Sequence, residues 1–139
     1  MTMRTMPTGS PERRPRGPNR PDRQSAERRG RFAETIASLF LNLKGYRLVA
    51  RRFKTPVGEI DLIMRRGGTL VFVEVKQRRS RDDALLAISP TARRRILRAA
   101  EAFLARNPDA LALNLRFDVV ALAPRRLPHH LIDAFSLDR

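Results

Sequence analysis

At 139 residues the chain holds one domain with a proper core and is too short for two. Its 29 basic and 14 acidic residues give a formal charge of +15, and 42% hydrophobic content permits a packed core. A disordered polybasic tail is thereby excluded, and a polyanion is the expected partner, nucleic acid before an anionic membrane surface. With no cysteine there is no disulfide framework, thiolate zinc site, iron–sulfur cluster or cysteine nucleophile.

Residues 1–23 read as a disordered Pro/Arg-rich tail, with five of the ten prolines and a local charge of +4. The domain then runs over 24–139 and carries +11 of its own. A helix is predicted to open after Ser25 and to bury Ala33, Ile36, Ala37, Phe40 and Leu41, with Gly45 as its C-terminal stop. Tyr46 to Arg52 is a short strand. Glu59 to Met64 and Leu70 to Val75 form a hairpin across Arg65-Arg66-Gly67-Gly68. Ser89-Pro90 caps a second helix whose stripe is Ile96, Ala99, Ala100, Phe103 and Leu104, ended by Asn107-Pro108. Leu115 to Ala123 is a strand, and His130 to Phe135 a last, edge strand. No apolar run nears the roughly 20 residues that span a bilayer. Met1 to Arg16 lack the apolar core of a secretory signal. The expectation is a cytoplasmic protein with no membrane partner.

The chemistry concentrates in two stretches, Gly58-Glu59-Ile60-Asp61-Leu62-Ile63 and Leu70-Val71-Phe72-Val73-Glu74-Val75-Lys76. Alternation puts Leu70, Phe72, Glu74 and Lys76 on one face and the three valines on the other, as in a central strand covered on both sides. A carboxylate there is costly unless paired or ligated. Pairing across the hairpin brings Asp61 beside Glu74, and two carboxylates at the end of a buried hairpin can hold a divalent cation. The residues equally allow a plain Glu74–Lys76 ion pair with Asp61 in a turn. The lysine adds weight, since only Lys44, Lys54 and Lys76 are lysine against 26 arginines. Alternation also places Glu59 on the face of Asp61. Asp118 reads as a structural acid bonded to backbone or to Arg116, and His129-His130 as surface residues.

Asp61…Glu74-Val75-Lys76 behind an opening helix resembles the PD-(D/E)XK nuclease superfamily, the fold of restriction endonucleases and archaeal Holliday-junction resolvases. More closely, the two stretches above and Arg116-Phe117-Asp118-Val119-Val120 resemble the bacterial YraN family of small predicted endonucleases, over about residues 26–123. The resemblance implies an α/β, restriction-endonuclease-like α-β-β-β-α-β core, a mixed central sheet flanked by helices. It implies Mg²⁺ or Mn²⁺ on Asp61, Glu74 and the Val75 carbonyl, with Lys76 positioning the attacking water. Glu34 matches the family's first-helix glutamate, though composition alone also allows a solvated helix charge. Two departures bear on substrate handling. The loop Arg78-Arg79-Ser80-Arg81-Asp82-Asp83 has no glycine where the family has one. The family's lysine at the start of the second helix falls on Ala92, with Arg93 beside it.

The expected function is therefore metal-dependent hydrolysis of phosphodiester bonds in nucleic acid, DNA first, including branched or repair intermediates. Arg51, Arg52, Arg78, Arg79, Arg94 and Arg98 would hold the backbone without reading bases. The rivals are an inactive nucleic-acid-binding module of the same fold and a basic RNA- or ribosome-associated protein. A homodimer is compatible with the superfamily's habit of pairing two sites.

Overall fold

The computed structural model describes residues 20–79 and 88–135, with side chains from residue 27 onward. Residues 1–19 of the predicted tail and Ser80 to Asp83 of the loop lie outside the described residues. The elements are α1 (Arg20–Leu43), β1 (Arg47–Thr55), β2 (Gly58–Arg66), β3 (Thr69–Gln77), α2 (Pro90–Arg106), a 3₁₀ turn (Pro108–Ala112), β4 (Asn114–Leu122) and β5 (His129–Phe135). The predicted α/β core and element order are thus present. One five-stranded sheet runs β1-β2-β3-β4-β5, antiparallel except for the parallel β3–β4 pair. A parallel pair needs a crossover, and the segment carrying α2 supplies it. Among the described residues no helix is long and apolar enough to cross a membrane.

Each helix covers one face of the sheet. Ala33, Ala37 and Leu41 of α1 pack on Leu62, Met64, Val71, Val73 and Val120. Ile96, Ala99, Ala100 and Phe103 of α2 pack on Ile60, Ile63, Leu70, Phe72 and Phe117. The central strand β3 therefore divides as its alternation predicts, Leu70 and Phe72 toward α2 and the valines toward α1.

Local signals explain most boundaries. Gly45 takes a φ of 91° while Tyr46 N–H donates to Leu41 O and Gly45 N–H to Asn42 O, the double closure of a Schellman motif. Ser89 Oγ accepts from Ala92 N–H at 3.1 Å and Pro90 opens α2 without losing a bond. Thr55 Oγ1 accepts from Val57 and Gly58 N–H and donates to Gly58 O, closing the β1–β2 turn around Pro56. The β2–β3 turn is only Gly67-Gly68, since Arg65 and Arg66 stay paired in the strand. The first helix begins at Arg20 rather than after Ser25. Proline is tolerated in a first turn, so Pro21 does not delay the start.

Candidate functional site

The site forms where β2 and β3 part. Their ladder runs from Arg66↔Thr69 to Leu62↔Val73 and stops one step short of Asp61 opposite Glu74. In place of a ladder bond, Asp61 Oδ2 accepts the Val75 backbone N–H at 2.8 Å. Alternation breaks at this level, because Ile60 and Ile63, three apart, lie in the same α2-side cluster. Asp61 consequently turns toward α1, lining a cavity of about 390 Å³ with Arg29, Glu34, Val75, Lys76 and Arg78. Glu74 lines a second cavity of about 300 Å³ on the α2 face, with Lys54, Glu59 and Arg95. Glu59 and Asp61 thus line different cavities, contrary to the simple alternation.

Lys76 joins the two sides, its Nζ lying 3.1 Å from Glu74 Oε1. The ion pair that the residues left as an alternative is therefore present, with Asp61 beside it. Burial pushes the Asp61 carboxyl up to about 8, the adjacent Glu74 charge adds to this, and the Val75 N–H opposes it. Glu34 contributes further repulsion, so three acids feel one another here. Glu34 is itself buried and accepts from Arg52 Nε at 2.6 Å.

An all-oxygen donor pair, crowded by like charge, suits a hard divalent cation. Asp61 and Glu74 are such a pair in their chemistry, although they line different cavities. Among the described residues, no three His, Cys, Asp or Glu groups converge as a metal cluster, so backbone or solvent oxygens would complete any such shell.

The arginines divide. Arg78 lines the Asp61 cavity, and Arg51 and Arg52 line a cavity between α1 and β1. Arg79, Arg94 and Arg98 stand exposed and line none of these three cavities. Arg93, beside the departed lysine position, lies over the Phe135 ring, while Ala92 shares its cavity with Arg95. Arg29, Lys54 and Arg95 were not singled out from the sequence. A helical count places Arg29 and Gly30 one turn before Ala33 and Glu34, a usable signal for the first of them.

A second polar cluster lies across the sheet. Asp118 is fully buried and accepts from Arg116 Nε and Nη2 at 2.9 and 2.8 Å, from His130 at 2.6 Å and from Asp133 N–H at 3.0 Å. The structural reading of Asp118 holds. His130 is corrected, because its side chain is only 2% exposed. Lys44 Nζ lies 2.6 Å from His130 Nδ1, which must then accept, leaving Nε2–H to donate to Asp118.

Two helices on a five-stranded mixed sheet, with the hairpin's acids at its parting strands, define an α/β protein with a restriction-endonuclease-like core. Within that class, the chain belongs to the family described as Uncharacterised protein family UPF0102, whose model matches residues 33–122. It is 52% identical over 119 residues to a UPF0102 protein of Rhodopseudomonas palustris strain HaA2, covering 86% of this chain and 93% of the relative. A UPF0102 protein of Sinorhizobium medicae is 56% identical over 110 residues, covering 79% and 90%. One from Bradyrhizobium sp. strain ORS 278 is 50% identical over 130 residues, covering 94% and 91%.

Proposed function

We propose that this chain is a metal-dependent phosphodiesterase acting on nucleic acid, with DNA as substrate. The observation that carries the reading is the half-buried Asp61 carboxyl crowded by Glu74, with Lys76 on the same pair, in a chain of net charge +15. Asp61 and Glu74 would hold Mg²⁺ or Mn²⁺, with Val75 backbone and solvent completing the shell. When bound, the cation stabilises charge developing on the scissile phosphate. Asp61, whose carboxyl is pushed up by burial and Glu74, would serve as a ligand in its ionised form. Lys76 offers a compact N–H donor, released from Glu74, to orient the attacking water. Arg29 and Arg78 border the same cavity and attract the phosphate backbone without reading bases.

The test is a panel of labelled linear, flapped and four-way DNA substrates with Mg²⁺ or Mn²⁺. Asp61→Ala is expected to abolish both cleavage and any thermal shift caused by the metal. Lys76→Arg is expected to keep the thermal shift but lower cleavage at least about 100-fold, because a guanidinium neither fits an ammonium's place nor releases its proton. One observation favours a second reading, a binding module without turnover: Lys76 already neutralises Glu74. A parent chain that cuts no member of the panel with either metal decides for that module.

A further inference from the structure

One basic cavity is not used by the chemistry above. Between α1 and β1 a space of about 370 Å³ is lined by Arg31, Glu34, Thr35, Arg51 and Arg52. It adjoins the Asp61 cavity, since Glu34 lines both.

A regular strand would not build this cavity. Neighbours along a strand point to opposite faces, so Arg51 and Arg52 would part company. Arg52 instead has a φ of 48°, in the left-handed region that non-glycine residues rarely enter. Ala50 and Phe53, three apart, both pack on the α2 side, and Arg51 and Arg52 are left together on the α1 side. Backbone strain is thereby used to gather charge beside the site.

The charges in the cavity are unequal. Arg52 Nε engages Glu34 at 2.6 Å, which leaves Arg31 and Arg51 as the excess. The cavity on the α2 face, by contrast, sets Lys54 and Arg95 against Glu59 and Glu74 and carries no excess. A polyanion is drawn to the first and not to the second.

We infer that the α1–β1 cavity is a phosphate subsite, and that nucleic-acid backbone leaving the Asp61–Lys76 site passes over Glu34 onto Arg31 and Arg51 along the β1 edge. Arg52 serves it as a positioning residue, holding Glu34 rather than the phosphate. The subsite rests on the nucleic-acid reading of the neighbouring site, but not on turnover.

The test uses a fluorescein-labelled DNA duplex of about 20 base pairs, and a single strand of equal length, titrated by anisotropy in EDTA over a range of salt. The full chain is compared with R31A/R51A and with the charge-matched R94A/R98A on α2. R31A/R51A is expected to weaken binding about tenfold or more at 0.1 M salt and to flatten the slope of log K on log salt by about 2 for duplex. R51Q alone is expected to take about half of that slope. R94A/R98A is expected to lose less than about threefold. All four arginines are exposed, so each variant should melt within a few degrees of the parent. Equal losses in the two double variants would overturn the subsite, as would a larger loss on α2 or salt-indifferent binding by the parent. A chain that binds through Arg31 and Arg51 yet never cuts overturns only the phosphodiesterase reading.

Discussion

Asp61 and Asp118 sit on strands that flank β3, and the fold treats them in opposite ways. Burial pushes the Asp118 carboxyl upward, but His130, Arg116 and the Asp133 N–H outweigh it and hold the group below the usual carboxylate range. Burial also pushes Asp61 upward, and there the neighbouring Glu74 reinforces it, against a single backbone N–H. The first acid has its charge answered on every side and ties strands together. The second has one backbone N–H to answer its charge and Glu74 to oppose it, which favours its protonated form. Asp118 is fully buried and Asp61 half-buried, yet it is the company each keeps that sends their carboxyls in opposite directions.

The largest effect that would break this contrast is expected at Asp118. Replacing it with Ala leaves Arg116 and His130 facing each other without their anion, and should cost about 3–5 kcal/mol in urea unfolding. The acid limb follows from the sign of the shift. The stability due to Asp118 is present above pH ~4 and is lost as pH falls through its lowered folded value.

Asp61→Asn should act in the other direction. Because its folded value of about 8 lies above the ordinary carboxylate value, ionising Asp61 costs stability as pH rises from about 4 to 8. Measured in EDTA at pH 8, Asp61→Asn should be more stable than the parent by about 1–3 kcal/mol. The gain should vanish near pH 4. Equal stabilities at pH 8 would mean that Asp61 is as well compensated as Asp118.

The smallest effect is expected at the edge of the Asp118 cluster. Lys44→Met removes the donor to His130 Nδ1 and should cost about 1 kcal/mol, read as a fall in Tm of several degrees. A loss as large as that of Asp118→Ala would show that the ammonium, rather than the imidazole, carries the cluster.

Much of this was legible in the chain itself. The Gly45 stop, the Ser89-Pro90 cap and the two-faced β3 follow from local chemistry, and the structure has all three. The hairpin that carries Asp61 and Glu74 was readable from its apolar strands and Gly-Gly turn, although alternation itself breaks between Ile60 and Ile63. What escaped were features in which alternation fails or a partner is distant in sequence. Nothing in Arg51-Arg52 announces a left-handed residue, since arginine has no preference for that region, and so the gathering of the two guanidinium groups was invisible. His130 looks like a surface residue until Lys44 and Asp118 converge on it from two other elements. Glu34 was found only by resemblance, because a lone helical glutamate is identical in pattern whether solvated or held by Arg52.

The separation of contacts along the chain also sets an order of assembly. Asp61 and Val75 are 14 residues apart within one hairpin, whereas Tyr46 and Arg116 are 70 apart and Lys44 and His130 are 86 apart. Hairpins close in roughly 1–10 μs, while contacts across a crossover wait for long loops to be ordered. The β1-β2-β3 meander, with both crowded acids already in it, is expected to condense ahead of the Tyr46 and Lys44 links to the Asp118 cluster, whose own contacts to Arg116, His130 and Asp133 span only 2, 12 and 15 residues. Those two links are expected to close last. Weakening them, as in Lys44→Met, is then expected to speed unfolding and leave the folding rate almost unchanged, as stopped-flow kinetics would show. The lifetime of the native chain would then be set by links from the end of α1 to β4 and β5, outside the hairpin that carries Asp61 and Glu74.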